Sequence, residues 1–570
     1  MTRTSLLAAA AAAAALAAFP AAASAVPTPV VDGDTITITG DDTAESIAVT
    51  TQGGLIALNG STDLGGNTAA ADDTFALVID ARGGDDTIAV NTADLASVTV
   101  DGGAGNDVIT GSPEVDTLSG GDGNDRVVGA QGGDTMAGGN GNDVLVWNPG
   151  DGSDVMDGEA GADDIEVNGG SAGETFTAVP NGDRVRFDRV NPGPFNLDIG
   201  TAERLVLNAN GGDDTFTADP GLALPVLLNG GVGNDTLTGG AAADLVNGGD
   251  ENDTLDGGAG SDRLVGDRGA DVMRGGAGDD TMVWNNGDGS DVMDGQDGLD
   301  RVEVNGAAGA GDAFEIAPNG ARAKFDRTNL GPFTLDIGTS EVLDVRGQGG
   351  DDTFLARPGT PLAVIADGGA GNDVLTGAEE PDTFSGGLGN DTLTGGAGPD
   401  LLDGQDGDDS LLARDGAGDA VRGGSGTDSA QVDLADVVDA VESIDAPAVD
   451  DPDATATPVD VISRRTRVRG RRARIALECP AAEAGGCEGT ITLLSRRRFR
   501  VAGNRVRIVL ASAQFEIAAG ERERVTVRVP RRAKRLAQNR RLRVIAQTAS
   551  TDAAGNLAQD SERLTLRFRK

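Results

Sequence analysis

Aspartate recurs in this chain at nine-residue spacing, each time after a glycine-rich run. From Gly102 to Val146 five units follow without a gap: GGAGNDVIT, GSPEVDTLS, GGDGNDRVV, GAQGGDTMA and GGNGNDVLV. The same register returns at Gly230 and at Gly368. A carboxylate is a hard anionic oxygen, and glycine lets a turn visit positive φ and bring its carbonyls close to one point. About six to eight such oxygens, in a flexible shell, are what Ca²⁺ takes. The spacing supports cation binding and supplies no reaction.

The rest of the composition narrows catalysis. There is no His and no Tyr among the 570 residues, which removes imidazole as base, shuttle or zinc ligand. Ser-His-Asp hydrolases and H-E-x-x-H proteases are thereby excluded. With 88 glycines, 92 acidic against 45 basic residues and 3% aromatics, the chain cannot fill a conventional globular core. A disordered tract would share that composition, but it has no reason to place an aliphatic residue two positions after each Asp. In the pattern G-G-x-G-x-D-x-U-x the first six residues make a turn and the last three a very short strand, winding a parallel β-roll. The apolar residue points inward from the strand and fills a narrow core. Without a cation the stacked carboxylates repel, so binding and folding should be coupled.

The repeat segment resembles the RTX (repeats-in-toxin) calcium-binding β-roll family. In that family two successive nonapeptides make one turn, and each Ca²⁺ sits between loops that here lie 18 residues apart. The resemblance implies that Asp107, Asp125 and Asp143 line one edge of the first block, with Gly102 and Gly105, Gly120 and Gly123, and Gly138 and Gly141 in their loops. The opposite edge carries Asp116 and Asp134 in loops that depart from the motif, and it is expected to bind weakly or stay empty. In the second block Asp235, Asp253 and Asp271 share one edge, with Asp244, Asp262 and Asp280 on the other; the loops ending at Asp262 and Asp280 match best there. In the third, Asp373, Asp391 and Asp409 alternate with Asp382 and Asp400. The loops ending at Asp373 (Gly368, Gly371) and Asp391 (Gly386, Gly389) are the strongest of that block. Asp154, Asp163, Asp291 and Asp300 follow a two-residue insertion and are less secure. Affinity is expected in the extracellular range of about 10⁻⁴–10⁻³ M.

Residues 1–25 read as a secretion signal, with Arg3, an Ala/Leu run from Leu6 to Phe19, and the A-x-A cleavage site Ala23-Ser24-Ala25. Export to the extracellular space is expected, with no transmembrane segment. A long duplication follows: Val146 to Asp157 recurs as Val283 to Asp294, and Phe187-Asp188-Arg189 as Phe325-Asp326-Arg327. The expected organisation is an N-terminal β-rich spacer (26–101), block 1 (102–166), a spacer (167–229), block 2 (230–303), a spacer (304–367), block 3 (368–431), a cap and linker (432–459), and a basic domain (460–570). The spacers alternate as strands, at Thr35–Thr39, Glu174–Val179 and Ala202–Asn208, and read either as longer rungs of a right-handed solenoid or as small sheets between rolls. Val432–Val438 reads as a capping rung or a short helix.

The charge is split. Residues 460–570 hold 27 basic against 10 acidic residues, a net +17, and residues 1–459 hold 18 against 82, a net −64. The basic region alternates like an antiparallel β-sandwich, and Cys479 and Cys487 within it are expected to form a disulfide. Its arginines either occupy the solvent face of strands or bind anionic cell-wall or surface polymer; no specific nucleic-acid module is evident. The fold class expected is all-β, with parallel β-roll blocks, β-rich spacers and a C-terminal sandwich-like domain. The function expected is a secreted Ca²⁺-binding protein without catalysis, in a structural, adhesive or surface-interaction role. The alternative is a polysaccharide lyase or epimerase on a solenoid, a chemistry for which the chain offers only Lys324, Lys534 and Lys570 as amine bases.

Overall fold

The computed structural model describes residues 27–446 apart from 73 and 94. In the C-terminal region it describes 460–568 apart from 462–464, 470, 480–486, 497–498, 502–503, 507–508, 519–520, 531–540 and 552–556. The expected signal segment and most of the linker lie outside the described residues. Among the described residues there is no helix; strands dominate, and a parallel β-solenoid of about 18 turns is followed by a separate C-terminal sheet. The chain divides into two compact units, Met1–Ile165 with Gly200–Ala202, and Glu166–Ile199 with Glu203–Lys570.

In the first unit each nonapeptide contributes one short strand, and alternate strands fall on opposite faces. Ser97–Ala104, Asp116–Asp122 and Thr135–Gly141 stack on one face, and Val108–Thr110, Arg126–Val128 and Val144–Trp147 on the other. Pairing is parallel with an 18-residue offset: Val108 lies beside Arg126 and Arg126 beside Val144, while Thr117 lies beside Thr135. The offset equals two repeats, so every turn places like on like. One apolar side chain per strand points inward, and Ile109, Leu118, Val127, Met136 and Leu145 are all buried. Each contributes about 1.5–3 kcal/mol of burial, which short three-residue strands could not obtain from hydrogen bonds alone.

The second unit repeats the scheme twice. Val226–Val232, Leu245–Asp250 and Arg263–Arg268 pair in the same offset, as do Ala363–Ala370, Thr383–Leu388 and Leu401–Asp406. The spacers combine the two forms that their sequence left open. Thr175–Asn181 pairs parallel with Thr215–Ala218 as a solenoid rung, and also antiparallel with Arg184–Asn191, which pairs on with Phe195–Ile199. A meander therefore hangs on one rung, and Ala313–Asn319, Arg322–Arg327 and Phe333–Ile337 repeat it. The few aromatics gather there: Phe187 contacts Phe176, Phe195 and Phe216, and Trp284 stacks on Phe333 at 3.7 Å. Residues 432–438, read as a rung or a helix, end in a rung, with Val437–Asp439 parallel to Ala420–Ser425.

The basic region forms an eight-stranded sheet around its own core, which includes Ile475, Leu477, Ile491, Leu493, Val527, Val544 and Leu566. Its described pairings are antiparallel except one, Arg465–Arg469 beside Leu557–Phe568. Cys479 and Cys487 are joined by a disulfide with Cα atoms 5.8 Å apart.

Candidate metal centre

The six-residue turn fixes each motif Asp in one pose. Its backbone sits at the foot of the strand, and its side chain folds back over the turn's own first glycine. Oδ1 accepts a hydrogen bond from the backbone N–H of the Asp one turn earlier. In the first unit Asp86 donates to Asp107 (2.7 Å), Asp107 to Asp125 (2.7 Å), Asp125 to Asp143 (2.8 Å) and Asp143 to Asp163 (2.9 Å). In the second unit the series runs Asp214, Asp235, Asp253, Asp271, Asp291 on one edge and Asp244, Asp262, Asp280, Asp300 on the other. The third block gives Asp352, Asp373, Asp391, Asp409, Asp428 and, opposite, Asp382, Asp400, Asp419, Asp436.

The other oxygen is different. Oδ2 of Asp107, Asp125, Asp143, Asp235, Asp253, Asp262, Asp271, Asp280, Asp373, Asp391, Asp400 and Asp409 is buried with no hydrogen-bond partner. A buried anionic oxygen left so is costly unless a cation faces it. Backbone oxygen is at hand beside it: a Cβ built on Gly120 would lie 2.4 Å from Asp125 Oδ2 and 2.5 Å from the Gly138 carbonyl. At Gly230 the corresponding distances are 2.2 Å to Asp235 Oδ2 and 2.5 Å to the Gly248 carbonyl. In the Gly120–Asp125 turn position four is closed to a side chain as well, since Gly123 has φ +145° and its Cβ would fall 1.6 Å from the Gly105 carbonyl. The donor set, an unsatisfied carboxylate oxygen recurring along both edges and set beside a turn carbonyl at turns such as those of Asp125 and Asp235, fits a hard oxygen-seeking divalent cation. Among the described residues no three acidic side chains converge on one point, so such an ion would draw much of its shell from carbonyls.

The electrostatics agree with this geometry. Burial pushes Asp125 up to about 6 and both Asp134 and Asp253 up to about 8; the backbone hydrogen bond opposes the rise and neighbouring carboxylates add to it. Burial, with Asp382 adding, pushes Asp400 up to about 10. A cation at each edge would relieve all of these.

The edges are not uniform. Asp116 heads the opposite edge of block 1, and its carboxylate already accepts the Ser112 hydroxyl (2.7 Å) and the Ser112 N–H (2.5 Å). Asp244 and Asp382 likewise accept local N–H groups from Gly240 and Ala378. Asp134 and Asp154 further along that first-unit edge carry buried Oδ2 atoms without a partner, as does Asp291 after the second insertion. Sequence reasoning missed members that lie in the spacers. Asp86, Asp214 and Asp352 stand one turn before the blocks in the same ladder, and their Oδ2 atoms are equally unpartnered. The usable signal was the recurring Gly-Gly-Asp-Asp-Thr with an apolar residue two positions after its second Asp. Asp419 and Asp428, beyond the best motifs, were missed as well.

A family model for the RTX calcium-binding nonapeptide repeat matches residues 99–114, 110–145, 150–171, 227–255, 247–282, 367–402, 385–419 and 394–430. No curated protein matches the chain significantly. Asp86, Asp214 and Asp352 fall just before the matched stretches, whereas the ladder geometry includes them. Matched repeats in three blocks, on a parallel solenoid with two repeats per turn, show that the chain carries RTX calcium-binding nonapeptide repeats.

Proposed function

We propose that the protein is an exported calcium-binding β-roll whose edge carboxylates take up Ca²⁺ and whose blocks complete their folding on doing so. The observation that carries this is the series of buried Asp Oδ2 atoms with no partner, each against the first glycine of its turn and, at Asp107, Asp125, Asp143, Asp235, Asp262, Asp280 and Asp409, with a turn carbonyl beside that glycine. When bound, Ca²⁺ supplies positive charge and an undemanding coordination shell, which ties successive turns together. The chain's own part is to hold Oδ1 in the ladder and present Oδ2 with the carbonyls of the first and following turns. The residues involved are Asp107, Asp125 and Asp143, Asp235, Asp253 and Asp271, Asp262 and Asp280, and Asp373, Asp391, Asp400 and Asp409. Mg²⁺, which keeps its waters and demands octahedral geometry, suits such a carbonyl-rich turn poorly.

The role is structural or adhesive, without catalysis: the chain has no His or Tyr, and its repeats supply ligands and no reaction. The N-terminal apolar segment supports export to the extracellular space. No helix of the described residues is long and apolar enough to cross a membrane. The basic domain supplies a surface for anionic wall or surface polymer. Arg467 lies directly beside Arg567 in the parallel strand pair, and these two with Arg469 line a cavity of about 300 Å³. Guanidinium groups so placed favour phosphate or carboxylate partners.

Isothermal titration of the full chain with Ca²⁺, and with Mg²⁺ as control, tests the reading. Several equivalents of Ca²⁺ should bind, and Asp125→Asn with Asp391→Asn should lower the stoichiometry. Unchanged stoichiometry in that variant would count against the edge assignment.

A further inference from the structure

Two spacer turns differ from the block turns that carry a partnerless Oδ2, and they are closed by an arginine. Glu174 and Asp312 occupy the ladder position of a motif Asp, since their N–H groups donate to Asp214 and Asp352. Both their oxygens are satisfied by the protein. Glu174 Oε2 accepts the Gly170 N–H (2.6 Å), and Oε1 meets Arg189 Nη1 at 2.7 Å. Asp312 Oδ2 accepts the Ala307 N–H (2.7 Å), and Oδ1 meets Arg327 Nη1 at 3.3 Å. The two arginines come from the duplicated Phe-Asp-Arg of the meander strands. Arg327 is 4% exposed, lies over the Trp284 and Phe333 rings, and donates to Asn286. Arg189 lies over Phe195 and donates to the Gly193 carbonyl. Glu45 heads the equivalent series in the first unit; its Oε1 accepts the Asp41 N–H, and its buried Oε2 has no partner.

We propose that Arg189 and Arg327 are built-in cations that close these two spacer turns, so that the turns stand without a divalent metal. On that basis each meander is a calcium-independent brace, and the metal-requiring series begins at the next turn, Asp214 in one case and Asp352 in the other. The physical reason is charge. A fixed guanidinium already neutralises the buried carboxylate, and a divalent ion brought beside it would be repelled inside a low-dielectric turn. This inference rests on the calcium reading of the blocks.

Hydrogen exchange of the full-length protein, read by peptide with excess Ca²⁺ and with chelator, tests it. With chelator, peptides spanning 174–199 and 312–337 should keep their protection, while peptides spanning 235–285 and 373–412 should exchange at least tenfold faster. Arg189→Gln with Arg327→Gln should make protection of the spacers calcium-dependent, and Arg189→Lys with Arg327→Lys should restore it. If spacers and blocks lose protection together in the unmodified chain, the brace is refuted while the calcium reading stands. If no block peptide responds to calcium, the calcium reading itself fails and the brace falls with it. Spacers of the Gln variant that stay protected in chelator would remove the role of the arginines.

Discussion

At the scale of single residues the turn is governed by where two oxygens and one missing Cβ lie. Oδ1 of each motif Asp other than Asp116 is tied to the preceding turn, which leaves Oδ2 as the group that decides the charge state. Burial raises Asp134 and Asp253 to about 8 and Asp86, Asp262 and Asp352 to about 7. A carboxyl with a raised folded-state value favours the fold while it is protonated. That contribution is complete below its unfolded value of about 4 and is lost as pH rises through about 6–8. The calcium-free protein should therefore lose β signal between about pH 5 and pH 8, as circular dichroism would record. Calcium affinity should move the other way and rise with pH, since the ion binds the deprotonated oxygen. A flat profile in chelator would mean that these carboxylates are not buried in solution. Backbone space makes a second test. Gly123→Ala puts a methyl group onto the Gly105 carbonyl at positive φ, and it should destabilise block 1 by about 2–4 kcal/mol, read from urea midpoints in calcium. Gly150, whose Cβ would meet nothing within 4 Å, offers the comparison at a similarly positive φ of +109°, and it should lose far less.

At the scale of elements, three-residue strands hold together because each carries one inward aliphatic residue and repeats 18 residues on. Leu118→Ala leaves a hole in a core only one side chain deep per face, so thermal or chemical unfolding should show a loss of about 2–5 kcal/mol. The element plan was legible wherever the spacing was strict. Asp107 to Asp143 could be placed on one edge because the resemblance implies two nonapeptides per turn and the motif recurs here without slippage. Asp86, Asp214 and Asp352 were not, because their turns join the blocks with 21-residue offsets, which breaks the nonapeptide count. The meanders were half legible. Asn181-Gly182 marks a hairpin, but the parallel pairing of Thr175 with Thr215 spans forty residues and leaves no local sign. The arginine partners of Glu174 and Asp312 escaped for the same reason, since the meander brings them together over fifteen residues. The lone parallel pair of the basic domain, Arg465–Arg469 with Leu557–Phe568, is more distant still.

At the scale of the whole molecule, a strongly acidic repeat region and a basic sheet share one chain, and they are stabilised differently. The repeat region has narrow cores one inward side chain deep, and on the reading proposed above it draws on cations as well. The basic domain has a compact apolar core and a disulfide across an eight-residue separation, which constrains the unfolded chain by about 2–3 kcal/mol. Reduction should therefore lower the unfolding temperature of the basic domain and leave the calcium response of the repeats unchanged. A common loss would show that the disulfide acts beyond its own sheet. The central claim, that calcium uptake and folding of the blocks are one event, is tested most directly by far-UV circular dichroism of the full chain during a calcium titration, with magnesium in parallel. The account predicts a cooperative gain of β signal at about 10⁻⁴–10⁻³ M Ca²⁺ and none with Mg²⁺. A spectrum already fully β after exhaustive chelation, and unmoved by calcium, would contradict it.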